Sequence, residues 1–328
     1  MKRAGNLFGQ FASFEHLWAA FRRARRGARL NRRNAPVIFS AENEVLQLRE
    51  ELLNGTYRPR PYRYFQIYEP KKRTISVADF RDRVVHHALV GVLEPVFERQ
   101  FDYDSYATRK NKGAHAAIRR AQRCLQQNEW FLKADIDSYF AAIRHDTLLD
   151  ILRRKIKDER LLEVAARIIR AGGPEGCGLP IGNLTSQFLA NVYLDPYDRF
   201  VRQNLGARAY IRYMDDFVLF HPDKSVLKIW QTQSARFLTD RLGLRLKPSA
   251  TFINSRQNGL TFLGRRVFPA TVRIAAPNLR RALAKLHARE ADYLAGRDSE
   301  ECYLQSLNSL FANLASADTL GLRRRLFR

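Results

Sequence analysis

Hydrophobic and polar positions change rhythm along this chain, and each change marks an element. Residues 14–21 repeat apolar side chains at helical spacing, with Leu17, Trp18 and Phe21 on one face. Residues 41–53 read as a second helix that stops at Asn54-Gly55, a helix-ending pair. Between 62 and 68 the period falls to two. A second alternating run follows the turn residues from Pro70, so residues 62–77 predict a basic hairpin. Helical spacing returns over 82–97. Trp130-Phe131-Leu132-Lys133-Ala134-Asp135-Ile136 is short and apolar, and reads as a buried strand that delivers Asp135 to its end.

A helix is predicted over 148–169, broken by Gly172-Gly173-Pro174. Another runs over 186–201, with Thr185 or Ser186 placed to cap it. Two apolar strands, 209–213 and 217–220, then flank a tight acidic turn. Residues 227–242 are helical, 260–264 begin a further strand pair, and 278–294 and 300–314 are two terminal helices. The first third otherwise reads as irregular, and no internal repeat or low-complexity linker is visible.

Composition limits what such a chain can be. Of 328 residues, 45% are hydrophobic, enough for two or three domains sharing one body and against global disorder. Lys and Arg number 57 against 33 Asp and Glu, a net charge of +24, which points to a polyanionic partner, nucleic acid first. Arg22, Arg23, Arg25 and Arg26, continued by Arg29, Arg32 and Arg33, lie beside aromatic residues. They are expected to contact a nucleic-acid backbone. No apolar run approaches the roughly 18 residues of a membrane span, and no signal peptide is visible, so a cytoplasmic protein without a membrane partner is expected. Cys124, Cys177 and Cys302 are widely spaced, and are expected to be ordinary buried thiols in a reducing compartment.

Aspartates at a turn are ordinary turn chemistry. Here, however, the pair Asp215-Asp216 lies between apolar strands, and Asp135 ends another strand upstream. If the three strands share a sheet, three carboxylates meet at its edge. Carboxylates suit a hard cation such as Mg2+. Two divalent ions roughly 4 Å apart can hold the attacking hydroxyl, the phosphorus and the leaving group of nucleotidyl transfer.

At these residues the chain resembles the reverse transcriptases. Tyr213-Met214-Asp215-Asp216 is similar to their motif C and Asp135-Ile136-Asp137-Ser138-Tyr139-Phe140 to their motif A. The resemblance implies an α+β right-hand polymerase fold with fingers, a palm of antiparallel sheet plus helices, and a short helical thumb. It divides the chain into a basic extension (1–60), fingers and palm (61–267) and thumb (268–328). It implies an RNA-directed DNA polymerase using two Mg2+ ions, with Mn2+ as a substitute. Asp135, Asp215 and Asp216 would be catalytic, and Asp135, Ile136, Asp215 and Asp216 would form the metal site. Phe140 would be a steric gate against a ribose 2′ hydroxyl.

The match continues through Arg73-Thr74-Ile75, Arg81-Asp82-Arg83 and Ser105–Gly113, so Arg73, Arg109 and Lys72 become triphosphate candidates. Gly243–Lys247 resembles motif D, with Lys247 a proton donor to pyrophosphate. Gly259–Gly264 resembles the primer grip. Tyr213, Met214 and Gly264 would touch nucleic acid.

The loop Ile181-Gly182-Asn183-Leu184-Thr185-Ser186-Gln187 departs from the common Gln-Gly-x-x-x-Ser-Pro. It resembles the reverse transcriptases of diversity-generating retroelements, as do Asn6-Leu7-Phe8 and Glu15–Trp18. That resemblance implies Ile181, Gly182 and Gln187 near the incoming dNTP, a structured template RNA, a primer or cDNA strand, a small basic accessory protein, and errors opposite template adenine. An antiphage defence or retron reverse transcriptase is the alternative.

Overall fold

Helices open the chain where apolar residues recur at helical spacing. In the computed structural model, which describes residues 3–28, 30–32, 34–68, 72–173 and 176–326, Ser13 accepts from the His16 backbone N–H. It so starts α2 (Phe14–Arg25), which follows α1 (Leu7–Phe11). Leu17, Ala20, Phe21 and Ala24 are buried, and Arg22, Arg23, Arg25 and Arg26 are exposed. The arginine run therefore continues the helix rather than following it. Arg29, Arg33, Pro70, Lys71 and Pro174 lie outside the described residues. Two further helices follow, α3 (Ala35–Phe39) and α4 (Ala41–Leu53).

The predicted hairpin is present: β1 (Arg63–Ile67) pairs antiparallel with β2 (Arg73–Val77). Asp79 caps α5 (Phe80–Glu98). Buried Arg81 forks onto Glu51 of α4 at 2.8 and 2.7 Å. The chain continues through α6 (Ala114–Gln127), β3 (Trp130–Asp135), α7 (Tyr139–Ala142), α8 (His145–Arg153), α9 (Glu159–Arg170) and α10 (Leu184–Gln203). The strands β4 (Tyr210–Tyr213) and β5 (Asp216–His221) come next, then α11 (Lys224–Leu242) and β6 (Phe252–Ser255). A three-stranded sheet of β7 (Leu260–Phe262), β8 (Arg265–Val267) and β9 (Val272–Ile274) precedes α12 (Ala276–Leu294), α13 (Glu300–Ala315) and α14 (Leu320–Leu326).

Three expectations need correction. Residues 148–169 are two helices, because Ile156 turns inward, is fully buried and pairs with Ala4. Asn183 is the N-cap position of α10, whereas Thr185 and Ser186 are buried in its first turn. Cys124 is buried, but Cys177 and Cys302 are exposed free thiols.

The chain forms two compact units. One comprises Met1–Tyr103, Ile136–Asn204 and Ser234–Lys247. It holds α1–α5, the β1–β2 hairpin and α7–α10. The other comprises Asp104–Asp135, Leu205–Gln233 and Pro248–Arg328, and holds both larger sheets. Its four-stranded sheet runs β4-β5-β3-β6, antiparallel throughout. Phe131, Ile211, Val218 and Phe220 of that sheet pack with Ala117, Ile118, Ala121 and Leu125 of α6. Among the described residues, no helix is long and apolar enough to cross a membrane.

Candidate active site at the edge of the four-stranded sheet

The condition set by the sequence is met: the three acid-bearing strands share one sheet. β3 ends on Asp135 and β5 begins on Asp216, and the register sets these two directly opposite. Tyr213 pairs with Asp216, so Met214 and Asp215 are the central residues of a two-residue turn. Met214 sits at φ 60°. A left-handed backbone at a residue with a side chain costs about 1–2 kcal/mol, and such strain gathers at functional sites. Arg212 of β4 is fully buried, and its Nη1 donates to the Met214 carbonyl at 3.1 Å, which braces the turn.

Lys133 stands two residues before Asp135 and so shares its face of β3. It pairs with Val218, and therefore meets Asp216 diagonally across the strands. Its Nζ donates to Oδ1 of Asp216 at 2.9 Å. Burial pushes the Asp216 carboxyl up to about 6. That value already includes the opposing Lys133 charge and hydrogen bond, and the smaller rise from the charges of Asp135 and Asp215.

This donor set fits a divalent cation. Its oxygens are hard ligands, and three carboxylates gathered at one sheet edge with a single ammonium, Lys133, leave negative charge for a divalent ion to balance. A finished cage is absent: among the described residues, no three His, Cys, Asp or Glu side chains converge as ligands.

The other candidates divide between the two units. Beside the sheet, Arg109 is half-buried, and its Nη1 donates to the Ser105 carbonyl at 2.8 Å. Gly264 turns at φ 78° between β7 and β8, and its carbonyl accepts from Ala275 N–H. In the other unit, Ile136 is buried and bridges to Leu246, and Asp137 N–H donates to the Arg245 carbonyl. That pairing brings the segment ending at half-buried Lys247 alongside motif A. Phe140 is half-buried on α7, its ring 5.7 Å from that of Tyr139. Tyr139 in turn is anchored by its hydroxyl on the Ala190 carbonyl.

Arg73 and Lys72 are exposed, Arg73 on β2. The 181–187 loop is fastened to that strand: Ser76 N–H donates to the Ile181 carbonyl at 2.8 Å, and Asn183 Nδ2 to the Ser76 carbonyl at 3.1 Å. Gly182 sits at φ 111°, where a Cβ would lie 2.7 Å from Ile75 Cγ2. Gln187 is exposed on α10.

Thus Asp135, Tyr213, Met214, Asp215 and Asp216 come together at one edge, and Ile181 and Gly182 come together with the strand of Arg73. Sequence reading passed over Lys133 and Arg212. Period-two spacing from Asp135 and from Met214 would have flagged both, since each sits two residues before a site residue.

The family model described as reverse transcriptase (RNA-dependent DNA polymerase) matches residues 68–267. The chain belongs to the reverse transcriptase family. As a reverse transcriptase it is an RNA-directed DNA polymerase. It is 30% identical over 272 residues to Protein YkfC of Escherichia coli K12, covering 68% of this chain and 71% of that one. It is also 30% identical over 173 residues to the group II intron-encoded protein LtrA of Lactococcus lactis, of which it spans only 29%. A solved telomerase from Candida tropicalis shares the fold at a TM-score of 0.50 and 14% identity, over 72% of this reverse transcriptase and 60% of that chain.

Proposed function

We propose that this reverse transcriptase copies a structured template RNA into cDNA with reduced fidelity opposite adenine, as diversity-generating retroelement enzymes do. The observation that carries this reading is Ile181. Its backbone is fixed to β2 through Ser76, while its side chain has no hydrogen-bonding group to offer a nascent base pair. A glutamine there would fix base geometry by hydrogen bonding, and an isoleucine constrains it only by contact.

Within this reading Asp135 and Asp215 hold the divalent ions, with Ile136 adjoining and Asp216 at their side. Bound Mg2+ would stabilise charge on the attacking 3′ oxygen and on the leaving pyrophosphate. Arg73 and Arg109 bind the triphosphate, Phe140 excludes a 2′ hydroxyl, and Lys247 protonates the leaving group. Tyr213, Met214 and Gly264 support the primer strand. Gly182 leaves room at the base pair, and Gln187 borders it. Residues 1–60 serve as a basic extension, 61–267 as fingers and palm, and 268–328 as thumb. The exposed arginines of α2 bind RNA or a small basic accessory protein's RNA complex.

The test is an error spectrum. Ile181→Gln should lower misincorporation opposite template adenine relative to the other template bases, read by sequencing primer-extension products. Identical spectra in the two proteins would refute the role given to Ile181.

A further inference from the structure

Asp135, Asp215 and Asp216 stand at one sheet edge, but one of them already has a cation. Asp216 accepts from Lys133 Nζ at 2.9 Å, and the two side chains are 13% and 20% exposed. β3 is hydrogen-bonded on both sides, to β5 and to β6, so the root of Lys133 is fixed in the sheet. Its register partners are Val218 and Phe252, apolar residues that offer no side-chain acceptor. If Asp216 swung away to bind metal, a largely buried ammonium would lose its counter-charge, an arrangement proteins strongly disfavour.

Resting on the metal-site reading above, we propose that Lys133 is a positioning residue. It holds the Asp216 carboxylate out of the metal position and leaves the divalent cation to Asp135 and Asp215. By adding one positive charge at the sheet edge, it also weakens the site's hold on that cation before nucleic acid and dNTP bring their phosphates. This is a compact point charge on a flexible stem, the kind of group that can offset an acidic cluster without becoming a ligand.

The experiment is Mn2+ titration of the full chain without nucleic acid, with free Mn2+ read by electron paramagnetic resonance. Asp135→Asn and Asp215→Asn should each weaken Mn2+ binding by more than about tenfold, whereas Asp216→Asn should change it by less than about threefold. Lys133→Met should tighten binding by about tenfold, and Lys133→Arg, which keeps the charge, should match the wild type. Circular dichroism reports whether each variant is folded. If Lys133→Met does not fold, Asp216→Asn and Lys133→Arg both near wild type uphold the proposal, and loss of Mn2+ binding in either overturns it. A folded Lys133→Met that binds Mn2+ no more tightly than wild type also overturns it, as does Asp216→Asn as weak as Asp135→Asn. Wild-type affinity in both Asp135→Asn and Asp215→Asn would instead refute the metal-site reading itself.

Discussion

The β1–β2 and β4–β5 hairpins are both short antiparallel pairs, and they live in opposite surroundings. In β4–β5, Tyr210, Ile211, Phe217, Val218 and Leu219 are fully buried, so both faces of the pair are covered. In β1–β2, Tyr64 and Phe65 are 66% and 50% exposed, and most of the pair lies open. The first carries a strained acidic turn that its buried strands hold rigid. The second carries exposed aromatic and basic residues, and is anchored at Ser76 by the 181–183 backbone. In the function proposed above, the groups that fix metal ions sit on stiff buried strands. Groups suited to a mobile polynucleotide sit on an open ribbon.

The sharpest contrast is in stability. Phe217→Ala should cost about 3–5 kcal/mol, as for other buried aromatics. Phe65→Ala should change stability by no more than about 0.5 kcal/mol. Urea denaturation of both variants measures the gap, and similar losses would erase the distinction between the hairpins.

A smaller effect tests the anchor. Gly182→Ala places a Cβ against Ile75 Cγ2 and 3.2 Å from the Ser76 carbonyl, at a φ that side chains avoid. It should cost about 1–3 kcal/mol and loosen β2, read as faster hydrogen exchange at Ser76 N–H. Unchanged exchange would mean that the loop does not hold the hairpin.

A gentler probe is pH. His86 of α5 lines a pocket of about 400 Å³ together with Phe65, Ile75 and Gly182, and its buried Nε2 has no hydrogen-bond partner among the described residues. Burial holds its pKa down to about 3, with the charges of His87 and Arg83 adding to the drop. The unfolded chain takes up this proton near pH 6.5 and the folded one does not. Stability from His86 is therefore full above about 6.5 and falls as pH drops toward 3, by at most about 1.4 kcal/mol per pH unit. His86→Phe should flatten that slope, measured by urea denaturation from pH 7 to 4.5. An unchanged slope would place the acid sensitivity elsewhere.

These contrasts also explain what was legible. Near-continuous apolar runs bordered by acids announced β3, β4 and β5, because strands buried on both faces leave no polar alternation. β6 went unread: Phe252-Ile253-Asn254-Ser255 is a mixed edge strand whose pairing with β3 is set by tertiary contact. The break between α8 and α9 contains neither glycine nor proline, and arises from Ile156 meeting Ala4, a contact no local pattern records. That the acids meet at one edge of a shared sheet was inferable. The Lys133–Asp216 contact was not, since it depends on a diagonal between two strands far apart in sequence.

Primer extension on an RNA template, comparing wild type with Asp215→Ala, tests the central claim most directly. A divalent-dependent activity in wild type that falls by at least about a thousandfold in the variant is predicted. Equal extension by the two proteins would contradict the assignment of the sheet-edge aspartates as the polymerase site.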